Sequence, residues 1–301
     1  MKRNVISFLA FALALAVCAG LCGAAYADDA APVAENLELT TYQNVSVGGS
    51  LSAYDPDGGA LEYTITTSPV KGDITLEPDG SFVYTPRENK KGRDYFGYKA
   101  MDADGVLSQE ATVIIKIERQ KKEVAYSDMR GSADEYAAIL LAERDIFTAE
   151  RLGAQYCFSP EKAVTRGEFL SMCMLVSGQG VVEAALTTGY ADDADIPAWM
   201  KAYVATAAMC GVTDAARVDE SFDPARPITK AEAALMLDRA INVTAVSYIP
   251  LSDEYDAELA QACANLSAVR VLDAMPQQAQ VLTRAEMARM LSAALRVVDN
   301  R

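Results

Sequence analysis

One short block occurs three times in the C-terminal half of the chain. Each copy has Thr, a basic residue, a small residue and Glu in that order, as in Thr165-Arg166-Gly167-Glu168, Thr229-Lys230-Ala231-Glu232 and Thr283-Arg284-Ala285-Glu286. The threonines are 64 and then 54 residues apart. Because self-similarity at such a spacing marks a repeated supersecondary unit, this half of the chain is expected to fold as three similar units.

Each block predicts the start of an amphipathic helix. Thr at the N-cap with Glu three residues later forms a capping box, in which each side chain bonds the backbone N–H of the other residue. Apolar residues then recur at helical spacing, and these should form the buried stripes: Phe169, Leu170, Cys173 and Val176; Ala233, Ala234, Leu237 and Ala240; Met287, Ala288, Leu291 and Ala294.

The basic residue inside each block is not explained by helix stability. A cation in the first turn faces the positive end of the helix dipole, which costs about 0.3–1 kcal/mol. Backbone N–H groups at a helix start bind anions, and a neighbouring cation strengthens such a site. We therefore predict that Arg166, Lys230 and Arg284 contact a carboxylate or a phosphate.

The sequence that flanks the blocks is repeated as well. Each unit opens with a similar triplet, Tyr126-Ser127-Asp128, Tyr190-Ala191-Asp192 or Leu251-Ser252-Asp253. A first helix is predicted in each unit, over residues 133–144, 197–210 and 255–268. Phe158-Ser159-Pro160 and Phe222-Asp223-Pro224 precede the second helix in the first two units. With these flanks, residues 126–299 resemble three S-layer homology repeats, at 126–178, 189–242 and 248–299.

The resemblance implies an all-α pseudo-trimer that binds an anionic secondary cell-wall polymer or a peptidoglycan-linked glycan, often through pyruvate ketals. Arg166, Lys230 and Arg284 would contact the anion. Further residues would accept sugar hydroxyls or orient these cations, namely Asp128, Asp192 and Asp253. Trp199 would stack on a sugar ring, or alternatively anchor its helix. Because the third unit lacks the Phe-x-Pro step, and Trp199 is the only Trp of the chain, the groove near Trp199 is expected to dominate binding.

Residues 28–118 have the pattern of a β domain. Short alternating segments follow one another at 61–65, 73–76, 81–84 and 111–117, and Asp79-Gly80 predicts a hairpin turn. These features favour an antiparallel sandwich. Asp55-Pro56-Asp57-Gly58, Asp102-Ala103-Asp104-Gly105 and the aromatic pattern between them resemble bacterial cadherin-like and Ig-like modules. The charged run that follows, within 119–125, is predicted to be a solvated linker, with a basic patch as the alternative.

The two Asp-x-Asp-Gly corners are candidate calcium sites. Paired carboxylates on a tight loop suit a hard cation, so Asp55, Asp57, Asp102 and Asp104 are the candidate ligands. The alternative is that Asp and Gly only form the turns. Calcium is the one cofactor that the sequence suggests.

The first residues predict a secretory signal peptide over 1–27. Lys2 and Arg3 precede an apolar run, and Ala25-Tyr26-Ala27 provides a cleavage site. An uncleaved membrane anchor is the alternative. Cleavage would leave a secreted cell-wall or cell-surface protein with no membrane segment and a net charge of −17. Such a charge argues against nucleic acid as a partner, and an acidic glycan would have to be held by local pockets.

Composition also limits the chemistry. The chain has no His, which excludes Ser-His-Asp and Cys-His catalysis. Cys173 replaces a Leu of the other units and is predicted to be a core residue, while a disulfide among Cys157, Cys210 and Cys263 remains an alternative. The sequence therefore favours a non-enzymatic, wall-anchored surface protein that displays a β module as spacer or adhesin. The alternatives are a calcium-dependent adhesin anchored by the repeats and, less favoured, an envelope hydrolase.

Overall fold

A computed structural model describes residues 30–153, 155–183, 185–214, 219–247, 256–272 and 274–301. The N-terminal part consists of strands and the C-terminal part mainly of helices. The predicted signal peptide over 1–27 lies outside the described residues, as does Asp253.

The strands of the N-terminal part form two facing sheets and one short pair. They are β1 (Val33–Ala34), β2 (Leu37–Tyr42), β3 (Val47–Ser50), β4 (Ala53–Tyr54), β5 (Glu62–Thr67), β6 (Gly72–Leu76), β7 (Ser81–Pro86), β8 (Gly92–Met101) and β9 (Ala111–Glu118). One sheet has the order β2-β9-β8-β5, the other has the order β3-β7-β6, and β1 pairs with β4. The predicted strands and the hairpin at Asp79-Gly80 are confirmed.

One expectation about this domain was wrong in detail. The sheets are not wholly antiparallel, because β2 runs parallel to β9 from the pair Leu37–Val113 to the pair Tyr42–Glu118. A parallel neighbour needs a long crossover rather than a hairpin. The chain provides it, because β3 to β8 lie between β2 and β9 in sequence, and β3, β6 and β7 of this stretch form the second sheet. Alternation within a strand carries no information about the direction of its partner.

The core of the β domain is aromatic. Phe82 and Phe96 meet edge to face with their ring centres 5.3 Å apart, and Tyr84 and Tyr98 are fully buried. The hydroxyl of Tyr84 donates to Asp94 at 2.7 Å. Burial raises the pKa of Asp94, but this bond and the N–H groups of Val70 and Lys71 outweigh it, so the pKa lies below its usual value. The buried carboxylate therefore has the partners that it needs.

The C-terminal part contains six helices within the described ranges. They are α1 (Glu135–Glu143), α2 (Arg166–Ser177), α3 (Ala198–Met209), α4 (Lys230–Ile241), α5 (Ala257–Ala268) and α6 (Arg284–Asp299); a short hairpin, β10 (Glu150–Leu152) and β11 (Gln155–Cys157), lies between α1 and α2. The predicted first and second helices of all three units are confirmed. So are the three capping boxes, at Thr165, Thr229 and Thr283.

The three capped helices contact one another and bury their predicted stripes. Cys173 is fully buried, and all four cysteines after residue 29 are free. Each remaining helix packs on a capped helix of a different unit: α1 on α6, α3 on α2 and α5 on α4. The helical region thus has one continuous core that all three units share.

Three backbone hydrogen bonds join the segments that lead into the capped helices. The N–H of Val164 donates to the carbonyl of Leu282 at 3.1 Å, that of Leu282 to Ile228 at 3.0 Å, and that of Ile228 to Val164 at 3.0 Å. Together these bonds close a cycle. A second set of three bonds links the same units two residues further along: the N–H groups of Arg166, Lys230 and Arg284 donate to the carbonyls of residues 226, 280 and 162.

The β domain is fastened to the first helix. The N–H of Gly48 donates to the carbonyl of Ala133 at 2.9 Å, and that of Tyr136 donates to Ser46 at 3.1 Å. Tyr42 and Tyr136 pack with ring centres 5.3 Å apart. Within 119–125, the N–H groups of Lys121 and Lys122 donate to Glu143. The segment predicted to be a linker is therefore held against the end of α1.

Candidate functional site

The cation of the first block lies between two units. The guanidinium of Arg166 donates to Glu232 at 3.1 Å and stands 5.2 Å from the ring centre of Phe222. Glu232 belongs to the second capping box and also binds Arg226 at 2.6 Å. Burial lowers the pKa of Arg166, although the charge of Glu232 acts in the opposite sense. The side chain is largely covered but still reaches the surface beside a second guanidinium.

The second and third cations repeat this arrangement with different carboxylates. Lys230 pairs with Glu286 of the third capping box at 2.5 Å. Arg284 makes a bidentate pair with Glu150 at 2.7 and 2.9 Å, and donates to the carbonyl of Phe158 at 2.9 Å. The side chain of Arg284 is only 4% exposed, so it offers less surface to an external anion than the other two.

The two described aspartates of the opening triplets bind the backbone of the Phe-x-Pro segments. The carboxylate of Asp128 accepts the N–H groups of Phe158 and Ser159 at 2.9 and 2.7 Å, and that of Asp192 accepts those of Phe222 and Asp223, both at 2.8 Å. Burial raises the pKa of Asp128, but hydrogen bonds from Phe158, Cys157 and Ser159 lower it overall. The cations are held by glutamates instead, and the role of the aspartates toward a sugar stays a prediction.

Trp199 lies at the start of α3 with 60% of its surface exposed. Its neighbour Met200 packs on the first turn of α2 so closely that a Cβ at Gly167 would lie 2.4 Å from the Met200 sulfur. Trp199 therefore lies on a helix that packs, through Met200, against the first turn of α2, which carries Arg166. The stacking of its indole on a sugar beside that cation stays a prediction.

The predicted calcium ligands sit in two turns. In each turn the first aspartate accepts backbone N–H groups of its own loop: Asp55 that of Asp57, and Asp102 those of Asp104 and Val106, all at 2.9–3.0 Å. The described part of the chain has no group of three or more acidic or cysteine side chains placed to hold a metal ion. The second oxygen of Asp102, a residue 7% exposed, is buried and has no hydrogen-bond partner among the residues that the structure describes.

Two features of the site were not predicted from the sequence. Glu232 and Glu286 were assigned to capping alone, and Glu150 was not singled out. No local pattern marks their second role, because the partner of each cation comes from another unit. The threefold recurrence of the block was the one available signal: a Glu that follows a cation at a fixed offset in every unit can also meet the cation of the next unit.

Comparison with known proteins identifies the β domain. Residues 29–119 match the family model of the bacterial cadherin-like domain. No curated protein matches the chain. None of the helices in the described ranges has the length and apolar character required to span a bilayer.

Among solved structures, the chain is similar to human protocadherin-24 (EC1-2), with 22% identity over 30% of this chain and 53% of that one and a TM-score of 0.25. It is similar to the SrpA adhesin of Streptococcus sanguinis, with 14% identity, coverage of 34% and 66%, and a TM-score of 0.26. An endo-fucoidan hydrolase of glycoside hydrolase family 107 gives 17% identity, coverage of 33% and 15%, and a TM-score of 0.26. The chain spans less than two thirds of the length of each.

The strands and sheets described above agree with the family match. Its limits, 29 and 119, enclose β1 to β9 and exclude every helix of the described ranges. Residues 29–119 are a bacterial cadherin-like domain, which indicates an extracellular or surface protein.

Proposed function

We propose that this chain is a non-enzymatic surface protein that attaches non-covalently to an anionic secondary cell-wall polysaccharide. Three S-layer homology repeats, arranged as a pseudo-trimer, would bind the polysaccharide, and the cadherin-like domain would be displayed as a spacer or adhesion module. The signal peptide predicted over 1–27 would direct the chain to the cell surface.

The recurring placement of the block cations carries this proposal. Each of Arg166, Lys230 and Arg284 reaches out of its own unit to a carboxylate of another. The hydrogen-bond cycle through Val164, Ile228 and Leu282 supports the same threefold order. A basic side chain that sits at a helix start and at a boundary between units is poorly explained by helix stability, but it is well placed to meet an anion in a groove.

An incoming carboxylate has to share or replace the internal glutamate partner of each cation. The groove near Trp199 is best equipped for this, because Arg226 would keep Glu232 neutralised while Arg166 turns to a ligand. Arginine can bind a carboxylate through two parallel hydrogen bonds, and the exposed indole of Trp199 can stack on a sugar ring. Asp192, Asp128 and Asp253 remain proposed partners of sugar hydroxyls.

The proposal is tested by sedimentation of the full chain with cell-wall sacculi, before and after removal of the secondary polymer. Binding should disappear with the polymer. Replacing Arg166 or Lys230 by Gln should weaken binding about tenfold, because each replacement removes one charge-assisted contact. Trp199→Ala should weaken it by a similar factor.

Charge-preserving variants supply the control. Lys230→Arg should retain binding, whereas Arg166→Lys should bind less well than wild type since it loses the bidentate geometry. Circular dichroism at equal concentrations would show that each variant is folded. Binding that survives both removal of the polymer and loss of the cations would contradict the proposal.

A second candidate function is calcium-dependent adhesion by the cadherin-like domain. The buried, unpartnered oxygen of Asp102 favours it, because such an atom ordinarily needs a hydrogen-bond donor or a cation. Asp104 of the same turn would supply a further oxygen ligand, and Asp55 and Asp57 would form the corresponding pair in the other turn. The repeats would then serve only as the anchor.

Calcium titration of the full chain tests this candidate. Saturating calcium should raise the Tm of wild type, and Asp102→Asn should abolish the shift. Asp79→Asn is the matched control, because Asp79 also shapes an Asp-Gly turn but its carboxylate accepts hydrogen bonds from the N–H and the hydroxyl of Ser81. An equal calcium shift in wild type and in both variants would rule out Asp102 as a ligand.

A further inference from the structure

An open groove lies at one end of the cadherin-like domain, where β9 leads toward the helical region. Its volume is about 690 Å³, and its walls are formed by Gln43, Asn89, Lys91, Gly92, Ile117 and Arg119. This volume falls in the range of roughly 300–1,000 Å³ that is usual for small-ligand sites. The proposed attachment to the cell wall does not involve this groove.

The groove is shaped by hydrogen bonds between its loops. The side-chain amide of Gln43 donates to the carbonyl of Asn89 at 3.1 Å, and the N–H of Asn89 donates to the side-chain oxygen of Asn44 at 2.8 Å. The N–H of Gln43 donates to the carbonyl of Glu118 at 2.8 Å, which fixes the loop to the end of β9. Asn44 and Asn89 both have left-handed φ angles, 62° and 60°, which asparagine tolerates. A groove held in this way loses little entropy when a ligand binds.

Basic side chains outnumber acidic ones around the groove, although the chain carries a net charge of −15 and Glu88 accepts a hydrogen bond from the side chain of Asn89 at 3.4 Å. Strand pairing places Gly92 opposite Ile117. The exposed residues Lys90, Lys91 and Arg93 therefore lie near the exposed Arg119, which follows the end of β9. The nearby carboxylate of Glu118 is held by Lys116 at 2.5 Å. Over the ranges that the structure describes, neither Lys91 nor Arg119 has a carboxylate within 4 Å. Their charges are available to a ligand.

We propose that this groove binds an acidic polysaccharide, with Lys91 and Arg119 contacting carboxylates of uronic-acid sugars. The side chains of Gln43 and Asn89 would bind the ring hydroxyls. The proposal gives the displayed domain a partner of its own, and it does not depend on wall attachment through the repeats.

The lining favours a sugar polymer over other polyanions. Amide groups both donate and accept hydrogen bonds, as hydroxyl-rich sugars require. Proteins that bind single-stranded nucleic acid stack its bases on aromatic side chains, and none of the residues that line the groove is aromatic. A protein partner would be expected to meet a cluster of apolar or aromatic side chains, whereas the one aliphatic side chain of this lining is the buried Ile117.

Isothermal titration of the full chain with polygalacturonate tests the proposal. The probes for comparison are fully methyl-esterified polygalacturonate, which keeps the hydroxyls and loses the charge, and polyglutamate, which keeps the charge and lacks the sugar. We expect binding to polygalacturonate only. The double variant Lys91→Ala, Arg119→Ala should weaken binding at least about tenfold. The control variant Lys99→Ala, Arg296→Ala changes net charge equally without touching the groove and should bind as wild type does.

Three other outcomes would overturn the proposal. Equal binding of polyglutamate would make the groove a general polyanion site. Equal weakening of polygalacturonate binding by both double variants would show that the loss comes from the change in net charge and not from the groove. A chain that binds sacculi but not polygalacturonate would refute the groove alone. Conversely, binding of polygalacturonate through Lys91 and Arg119 without binding of sacculi would support the groove and refute the wall anchor.

Discussion

Glu135 shows at the scale of a single residue how the two parts of the chain are joined. It opens α1 and is 5% exposed, and one of its carboxylate oxygens accepts the N–H groups of Ser46 and Gly131, both at 3.0 Å. Burial raises its pKa above the usual 4.5, and the hydrogen bonds offset this only in part. An acid with a raised pKa contributes most to stability below its unfolded pKa, and loses that contribution as the pH rises through the folded pKa.

Two substitutions at Glu135 should therefore differ. Glu135→Ala leaves two N–H groups without an acceptor and should lower the free energy of unfolding by about 1–3 kcal/mol. Glu135→Gln keeps an acceptor and removes the buried charge, so its free energy of unfolding should lie closer to that of wild type at pH 7. As the pH falls toward 4.5, protonation of Glu135 stabilises wild type but not the Gln variant, so the difference between them should grow. Urea denaturation at pH 7 and pH 5 measures both. A Gln variant as unstable as the Ala variant at pH 7 would contradict this account.

The local chemistry of the helix starts was predictable residue by residue, and their partners were not. A Thr with a Glu three positions later specifies its own capping box, so the three boxes follow from the sequence. The pairing of Arg284 with Glu150 joins residues 134 positions apart. It depends on how the hairpin β10–β11 meets α6, and no spacing within a unit contains that information.

At the scale of the element, α4 begins at a carboxylate with more than one role. Glu232 caps its helix through the N–H of Thr229 and also binds Arg166 and Arg226. Glu168 makes the corresponding capping bond to Thr165 in α2, but within the described ranges it holds no guanidinium in an ion pair. Comparing the two glutamates thus separates the contribution of capping to stability from the contribution of the ion pairs between units.

Glu232→Ala should consequently cost more stability than Glu168→Ala. We expect a loss of about 1 kcal/mol at Glu168, where one hydrogen bond disappears, and about 2–3 kcal/mol at Glu232, where two cations also lose their partner. The midpoint of thermal unfolding, followed by circular dichroism at 222 nm, compares them. Equal losses would mean that the ion pairs contribute nothing to the contact between units.

Elements were the most predictable scale of this fold. Hydrophobic spacing placed the first helices within a few residues of α1, α3 and α5, and turn residues placed the strands. The parallel pairing of β2 with β9 escaped prediction because strand direction is settled by topology.

For the whole molecule, acid should weaken the helical region. Hydrogen bonds from Arg284 and Lys162 hold the pKa of Glu150 well below 4.5, while the pKa values of Glu232 and Glu286 are lowered by their ion pairs and capping bonds despite burial. Groups with lowered pKa stabilise the fold above their unfolded pKa, and this stabilisation is lost as the pH falls through the folded pKa.

Lowering the pH from 6 to 3 should thus lower the Tm, and Glu150→Gln should reduce the size of that decrease by removing one of the titrating groups. Glu161→Gln is the control, because Glu161 is exposed and has no ion pair in the described part of the chain. Thermal melts at both pH values provide the measurement. A decrease of the same size in the Glu150 variant and in wild type would exclude this ion pair as a cause.

The cadherin-like domain and the helices should unfold together. Gly48 lies against the turn that precedes α1 so closely that a Cβ there would stand 2.7 Å from the Cβ of Ala133. Gly48→Val should force the two apart, at a cost of about 1–3 kcal/mol, and should split one calorimetric transition into two. Gly180→Val is the matched control, since a Cβ at Gly180 would meet open space. Two transitions already present in wild type would show that the contact does not couple the domains.

The hydrogen-bond cycle of Val164, Ile228 and Leu282 limits how such a region can change in length. Repeats stacked in a row have two ends, and they can gain or lose members provided that the ends are capped. A closed circuit has no end at which a member could be added. Deleting one unit would leave a donor and an acceptor unmatched on its neighbours, and a fourth unit would have no place in the circuit. A larger form of this architecture would be expected to carry a second complete circuit of three.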